Sequence, residues 1–216
     1  MDGRDRSAGA VTGTSTVRHP ILLAREVMRD GRHVFLSGAG AETFADGTRL
    51  ERVPNAWFRT ESRLRSLERL KAEQLSAIDV DYKYGTVGAV ALDGEGRLAA
   101  ATSTGGLLGK QAGRVGDTPI TGIGNWADGK VAISCTGIGE SFIHAGGARD
   151  VTARMTYGGQ TLEQAAAGML DAVAAKGGDG GLIALDHAGR CVMPFNSPGM
   201  KRALARAGEA PIVAIL

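Results

Sequence analysis

The chain has 216 residues and a formal charge of only +2, from 25 Lys+Arg against 23 Asp+Glu. That balance removes the electrostatic footprint of a nucleic-acid binder. A hydrophobic content of 43% excludes a mainly disordered chain, and the length suits one domain with a sizeable core. The 33 glycines follow no three-residue period, which excludes collagen. With aromatics at only 5%, the core must rest on Ala, Val, Leu and Ile, with tight turns and close backbone approach in a layered α/β or α+β fold. No apolar run approaches the roughly 18 residues of a membrane span, and Met1–Arg6 lacks the apolar core of a signal peptide. Cys135 and Cys191 lie outside any Cys-x-x-Cys spacing, which fits reduced, buried thiols in a cytoplasmic chain better than a disulfide framework.

In chain order, His19-Pro20 opens a predicted helix with an apolar stripe of Ile21, Leu22, Ala24, Val27 and Met28, ended by Asp30-Gly31. Val34 to Leu36 reads as a short strand and Ala41 to Phe44 as a helical turn. Thr60 to Gln74 is strongly helical and highly charged, a solvated face with Leu64, Leu67 and Leu70 at helical spacing. Residues 75–84 keep no period and read as a linker. Thr86 to Asp93 predicts a buried strand, and Arg97 to Ser103 its hairpin partner across Gly94-Glu95-Gly96. A Gly-rich loop spans 105–129, followed by a strand from Lys130 to Cys135 and one helix from about Glu140 to Thr156. Thr161 with Gln164 forms a predicted capping box for a helix ending at Gly177-Gly178. Gly181–Leu185 and Cys191–Pro194 make a second hairpin, and Ile212–Leu216 a last strand. Strands, then helices, then strands predict an α+β arrangement of antiparallel sheets with helices packed on them.

Several tempting motifs fail. Gly105-Gly106-Leu107-Leu108-Gly109-Lys110 lacks the first Gly and the closing Ser or Thr of a phosphate loop. Gly38-Ala39-Gly40 lacks the third glycine of a dinucleotide fingerprint. The four histidines are scattered, so no metal site is predicted, and no Gly-x-Ser-x-Gly elbow occurs. Glu140 is read as a helix opener favoured by the dipole, and Trp57 and Trp126 as packing residues. What remains is a set of hydroxyl and glycine clusters at strand ends. These are Gly85-Thr86-Val87-Gly88, Ala101-Thr102-Ser103-Thr104-Gly105-Gly106, Gly113-Arg114-Val115-Gly116-Asp117-Thr118-Pro119 and Ser134-Cys135-Thr136-Gly137-Ile138-Gly139-Glu140. Singly, a strand Thr is usually structural, an Arg/Asp pair usually a surface ion pair, and a Gly-Thr-Gly cluster usually a turn.

In this order and spacing the four segments resemble the plant-type L-asparaginases and isoaspartyl aminopeptidases, threonine N-terminal-nucleophile hydrolases. The likeness continues through Tyr157-Gly158-Gly159, Gly180–Asp186 and Pro194-Phe195-Asn196. The resemblance implies an αββα sandwich and self-cleavage at Gly85–Thr86, dividing the chain into 1–85, part of an α-subunit with its linker, and 86–216, a β-subunit. Thr86 would then carry a free α-amine, a base near neutral pH, beside its own hydroxyl. By the same resemblance Thr104 hydrogen-bonds the nucleophile, and Thr136 and Gly137 form the oxyanion hole. Arg114 takes the substrate α-carboxylate, Asp117 its α-ammonium, and Gly139 lines the pocket. The implied substrate is asparagine or a β-aspartyl dipeptide, with no nucleic-acid or membrane partner and a dimer of αβ units.

The sequence departs from the family pattern at its start. Met1-Asp2-Gly3 matches a point inside the α-subunit, so the sandwich is expected to be incomplete on its N-terminal side. The loop that holds a structural sodium ion in relatives has no counterpart here, and no other cofactor is implied. Ile138 stands where relatives often carry a hydroxyl. Two other readings stand beside the amidohydrolase: a truncated, inactive homologue serving as a binding or assembly subunit, and a glycosylasparaginase-like specificity.

Overall fold

The computed structural model describes residues 1–73, 75 and 85–216, so the predicted linker, apart from Leu75, lies outside the described residues. The first lobe begins with strand β1 (Ala10–Thr12), which the sequence reading missed. It pairs in parallel with β2 (Phe35–Ser37) through helix α1 (Pro20–Asp30). Pro20 starts α1 because a first-turn residue needs no intrahelical N–H partner. Gly31 stops it in the left-handed conformation, φ 71°. Helix α2 (Gly38–Asp46) is longer than the single turn predicted. Val17, Leu23 and Ala45 form this lobe's buried cluster. A 3-10 turn (Asn55–Phe58) leads to α3 (Glu61–Ala72), which the Thr60 side chain caps by accepting from Arg63 N–H.

The second lobe starts with an antiparallel hairpin, β3 (Val87–Leu92) and β4 (Leu98–Ser103), in register Val87↔Ser103 to Leu92↔Leu98. Strand β3 is not the buried strand predicted. Val87, 71% exposed, shares with exposed Ala89 and Ala91 the hairpin face turned away from β6. The β4 edge is covered: Gly3 N–H donates to Leu98 O and Ala100 N–H to Met1 O. The predicted loop 105–129 contains a strand, β5 (Asn125–Ala127). It heads a four-stranded antiparallel sheet ordered β5-β6-β7-β8, with β6 Val131–Gly137, β7 Gly180–Asp186 and β8 Cys191–Val192. Near the C-terminus β9 (Arg202–Leu204), also missed from sequence, pairs with β10 (Ile212–Ala214).

Between β6 and β7 the predicted single helix is two, α4 (Gly139–Ala145) and α5 (Gly147–Tyr157). Gly146 and Gly147 have φ of 80° and 50°, and a Cβ on Gly147 would stand 2.4 Å from the Ile123 carbonyl oxygen. The chain therefore turns there, tight against the loop before β5. Helix α6 (Leu162–Ala174) carries the full Thr161/Gln164 capping box.

The layering follows from strand alternation in β6. Val131, Ile133 and Cys135 join Phe142, Val151, Leu162, Met169 and Leu182 in the main core, against the helices. Each such fully buried aliphatic or aromatic side chain contributes about 1.5–3 kcal/mol. The opposite face of β6 carries Ala132 and Ser134, which face the hairpin's Leu98, Ala100 and Thr102. Small residues on that face let the two sheets approach closely. Residues of the same parity continue inward at the strand ends: Thr86 with Gly88 and Val90, Thr104 with Thr102 and Ala100, Thr136 with Ser134 and Ala132. By strand parity the three threonines singled out from sequence lie on the facing sides of the two sheets, Thr86 and Thr104 on the cavity itself. Cys135 is buried, while Cys191 is only half-buried because β8 is the edge of its sheet.

Candidate active site

Thr86 and Thr104 flank the open end of the hairpin, one residue beyond the Val87↔Ser103 pair. Thr86 Oγ1 donates to Thr104 Oγ1 at 3.3 Å, and Thr104 Oγ1 also accepts Gly106 N–H at 3.1 Å. Gly85, just upstream, is exposed. Both hydroxyls face a cavity of about 540 Å³ that Arg114, Asp117 and Gly137 also line.

Gly137 closes β6 at φ 144°, where a Cβ would meet the Asp179 carbonyl oxygen at 2.3 Å and Gly180 Cα at 2.7 Å. Only glycine fits this crossing of β6 and β7. Thr136, half-buried, precedes it and pairs with Gly181. Gly139 serves a different purpose from lining the cavity. A Cβ there would stand 2.9 Å from Asp117 Oδ1 and 3.0 Å from Arg114 Nη2, so its bareness lets both side chains converge on one spot. Ile138, at the hydroxyl-favouring position, is buried and away from the cavity wall.

Arg114 and Asp117 are not an ion pair with each other. Arg114 donates from Nε to Glu140 Oε1 at 2.8 Å and from Nη2 to Glu140 Oε2 at 2.7 Å. The Arg114 guanidinium holds the Glu140 carboxyl below the usual carboxylate range. This fork engages one edge of the guanidinium and leaves the Nη1–Nη2 edge for a ligand. Asp117 is 6% exposed, and its Oδ2 is buried without a hydrogen-bond partner. Burial pushes its pKa up to about 6, against the opposing pull of backbone N–H groups and of Arg114. A buried, under-satisfied carboxylate at a cavity wall is a binding group in want of a cation.

The structure thus brings together Thr86, Thr104, Arg114, Asp117 and Gly137 on one cavity, with Thr136 and Gly139 directly behind it. Sequence reading missed three neighbours. Glu140, taken only as a helix opener, clamps Arg114. Its adjacency to Gly137-Ile138-Gly139 was the available signal. Trp57, taken as packing, is 51% exposed on the cavity rim beneath Arg18, whose Cζ lies 5.1 Å from the ring centroid. Lys110, dismissed with the failed phosphate loop, also lines the cavity. Among the described residues, no group of three His, Cys, Asp or Glu side chains could hold a metal ion, and no helix is long and apolar enough to cross a membrane.

A mixed sheet-and-helix fold with paired threonine hydroxyls beside an Arg/Asp cleft describes a hydrolase. The match is specific: the family model described as Asparaginase covers residues 1–215. The chain belongs to this family. It is 47% identical over 224 residues to the isoaspartyl peptidase of Escherichia coli (strain K12), covering 100% of this chain and 70% of that protein. It is 42% identical over 212 residues to the isoaspartyl peptidase/L-asparaginase of Mus musculus (97% and 65%). It is 39% identical over 232 residues to a probable isoaspartyl peptidase/L-asparaginase 2 of Arabidopsis thaliana (95% and 70%).

Proposed function

We propose that this chain is an amidohydrolase acting on the side-chain amide of L-asparagine and on β-aspartyl dipeptides through a Thr86 acyl-enzyme. The observation that carries the reading is the Thr86–Thr104 hydroxyl contact on the cavity that Arg114 and Asp117 line. An Arg with a free guanidinium edge beside a buried carboxylate suits the zwitterionic head of an amino acid. The head group docked there lays the side-chain amide toward Thr86.

Cleavage between Gly85 and Thr86 yields segments 1–85 and 86–216 and frees the Thr86 α-amine. An α-amine titrates near ~7.7–8.0 and removes the proton of its own hydroxyl. The Thr86 Oγ1 attacks the carbonyl carbon, and Thr104 steadies that oxygen. Thr136 Oγ1 and Gly137 N–H stabilise the oxyanion, donors commonly contributing about 3 kcal/mol each. The C–N bond breaks, and ammonia or the amino acid leaves with the proton from the amine. Water then hydrolyses the β-aspartyl ester, releasing aspartate and restoring Thr86.

The αββα sandwich is the architecture we assign. Helices α4–α6 packed on one face of the four-stranded sheet and the hairpin packed on the other support it. Assembly as a dimer of cleaved units and a cytoplasmic location belong to the same proposal. The test is intact mass after purification, together with turnover of asparagine, a β-aspartyl dipeptide and glycosylasparagine. Two segments divided at Thr86 and turnover of the first two substrates are expected. An intact chain that turns over none of the three overturns the reading, and preference for glycosylasparagine redirects it.

A further inference from the structure

The cavity is cationic in an uneven way. Its lining carries Arg18, Lys110 and Arg114 against a single acid, Asp117. Arg18 is paired with Glu51 at 2.7 Å and Arg114 with Glu140. Lys110 has no carboxylate partner among the described residues. Its Nζ is held by the Gly105 carbonyl oxygen at 2.7 Å, so the ammonium sits beside the residue that follows Thr104. Gly106 makes that seat possible: a Cβ there would stand 2.6 Å from Lys110 Nζ. Gly106 N–H is also the group that donates to Thr104 Oγ1. The Gly105 carbonyl and Gly106 N–H belong to one trans peptide and point opposite ways, so the ammonium sits across that peptide from Thr104 Oγ1, on the same cavity. Partial burial, with the Arg114 charge nearby, lowers the Lys110 pKa, the mark of a cation short of a counter-ion.

A β-aspartyl dipeptide carries one carboxylate more than asparagine does. That group belongs to the leaving amino acid, and its carbon lies two bonds, about 2.5 Å, beyond the scissile nitrogen. Arg114 and Asp117 are already assigned to the aspartyl head. We infer that Lys110 receives the free α-carboxylate of the leaving residue and so favours β-aspartyl peptides with an unblocked C-terminus. This rests on the function proposed above. The exposed Trp57 and Phe58 rings on the same cavity make leucine a suitable leaving residue for the test.

The measurement is the ratio of kcat/KM for β-aspartyl-leucine to kcat/KM for β-aspartyl-leucinamide, in the wild-type chain, K110M and K110R. In K110M the ratio is expected to fall about tenfold, mostly through KM for the acid, and K110R is expected to keep most of it. A role of Lys110 only in bracing the Gly105 turn lowers both rates together and leaves the ratio unchanged, and that outcome overturns the inference. Raising ionic strength with wild-type enzyme offers a check that needs no variant: the ratio should drop toward one, and a flat ratio also overturns it. If wild-type enzyme turns over neither substrate, it is the underlying hydrolase reading that falls.

Discussion

The hydroxyls of Thr102 and Ser134 lie 2.7 Å apart, buried between the hairpin and the four-stranded sheet. Each stands two residues before a threonine of the site, Thr104 just past the end of β4 and Thr136 on β6. Gly88, the register partner of Thr102, stands two residues after Thr86, and a Cβ there would lie 2.1 Å from Ser134 Oγ. One buried layer of Gly88, Thr102 and Ser134 thus sets the spacing of the three hydroxyls above it. Thr102→Val leaves Ser134 short of its partner at a cost of about 1–3 kcal/mol, and should lower kcat about tenfold through loosened alignment. Thermal melting and kcat for T102V, S134A and the double variant check this. Additive effects would show that the two hydroxyls are not coupled.

Gly88→Ala should destabilise the same layer by a different route. The added methyl must displace Ser134 or part the sheets, an overpacking cost of about 1–3 kcal/mol. The prediction is a lowered Tm together with slowed appearance of the segment beginning at Thr86. A G88A chain that melts and cleaves like the parent would mean that the two sheets do not need this contact.

Removal of the Glu140 charge should weaken substrate binding without abolishing turnover. Glu140→Gln keeps one hydrogen bond to Arg114 but loses the charged fork, worth about 1–2 kcal/mol in a partly buried pair. KM for asparagine should rise about five- to thirtyfold, with kcat nearly unchanged. A fall in kcat at constant KM would show that Glu140 acts on the chemistry and not on Arg114.

Asp117 links the site to pH in two senses. Its folded-state pKa, raised to about 6 from 3.8, means that the folded chain holds this proton more tightly than the unfolded chain. Its contribution to stability is therefore present below about pH 4 and lost as pH rises through about 6. Activity runs the other way, because only the carboxylate can hold an α-ammonium. We expect kcat/KM, already falling below about pH 8 as the Thr86 amine gains a proton, to fall more steeply below about pH 6. Asp117→Asn should be inactive yet melt higher than the parent at pH 8, with the advantage gone at pH 4. Melts of both proteins at the two pH values decide it, and a D117N chain less stable at pH 8 would refute the assignment.

Thr86→Ala should purify as one uncut chain, whereas the parent yields a 131-residue segment that starts with Thr86. Mass spectrometry reads this directly. Cleavage of T86A at the same bond would place the processing chemistry elsewhere.

Much of this was legible in the chain itself. Local signals are encoded within a few residues, so Pro20 and Gly31 marked α1, and the Thr161/Gln164 box marked the start of α6 to within a residue, though the helix ends at Ala174, before the predicted Gly177-Gly178. The hydroxyl and glycine clusters were readable because glycines and threonines at strand ends stand out against an apolar background. Short strands such as β1, β5 and β9 escaped because their three residues carry no period and, unlike Val34-Phe35-Leu36 or Ile212-Val213, sit in no run of large apolar residues. The exposure of β3 escaped for another reason: burial of a strand face depends on what packs against it, and Val-Gly-Ala-Val-Ala-Leu reads the same with one face open as in a core. The sequence by itself determined which residue types and turns were available, including a threonine after Gly85 and an Arg and an Asp three positions apart. Only the tertiary structure decided that Arg114 takes Glu140 and leaves Asp117 unpaired, and that Lys110 lines the same cavity as Thr104. Partners 26 residues apart, such as Arg114 and Glu140, meet only when strands pair and sheets stack, and no local pattern encodes that distance.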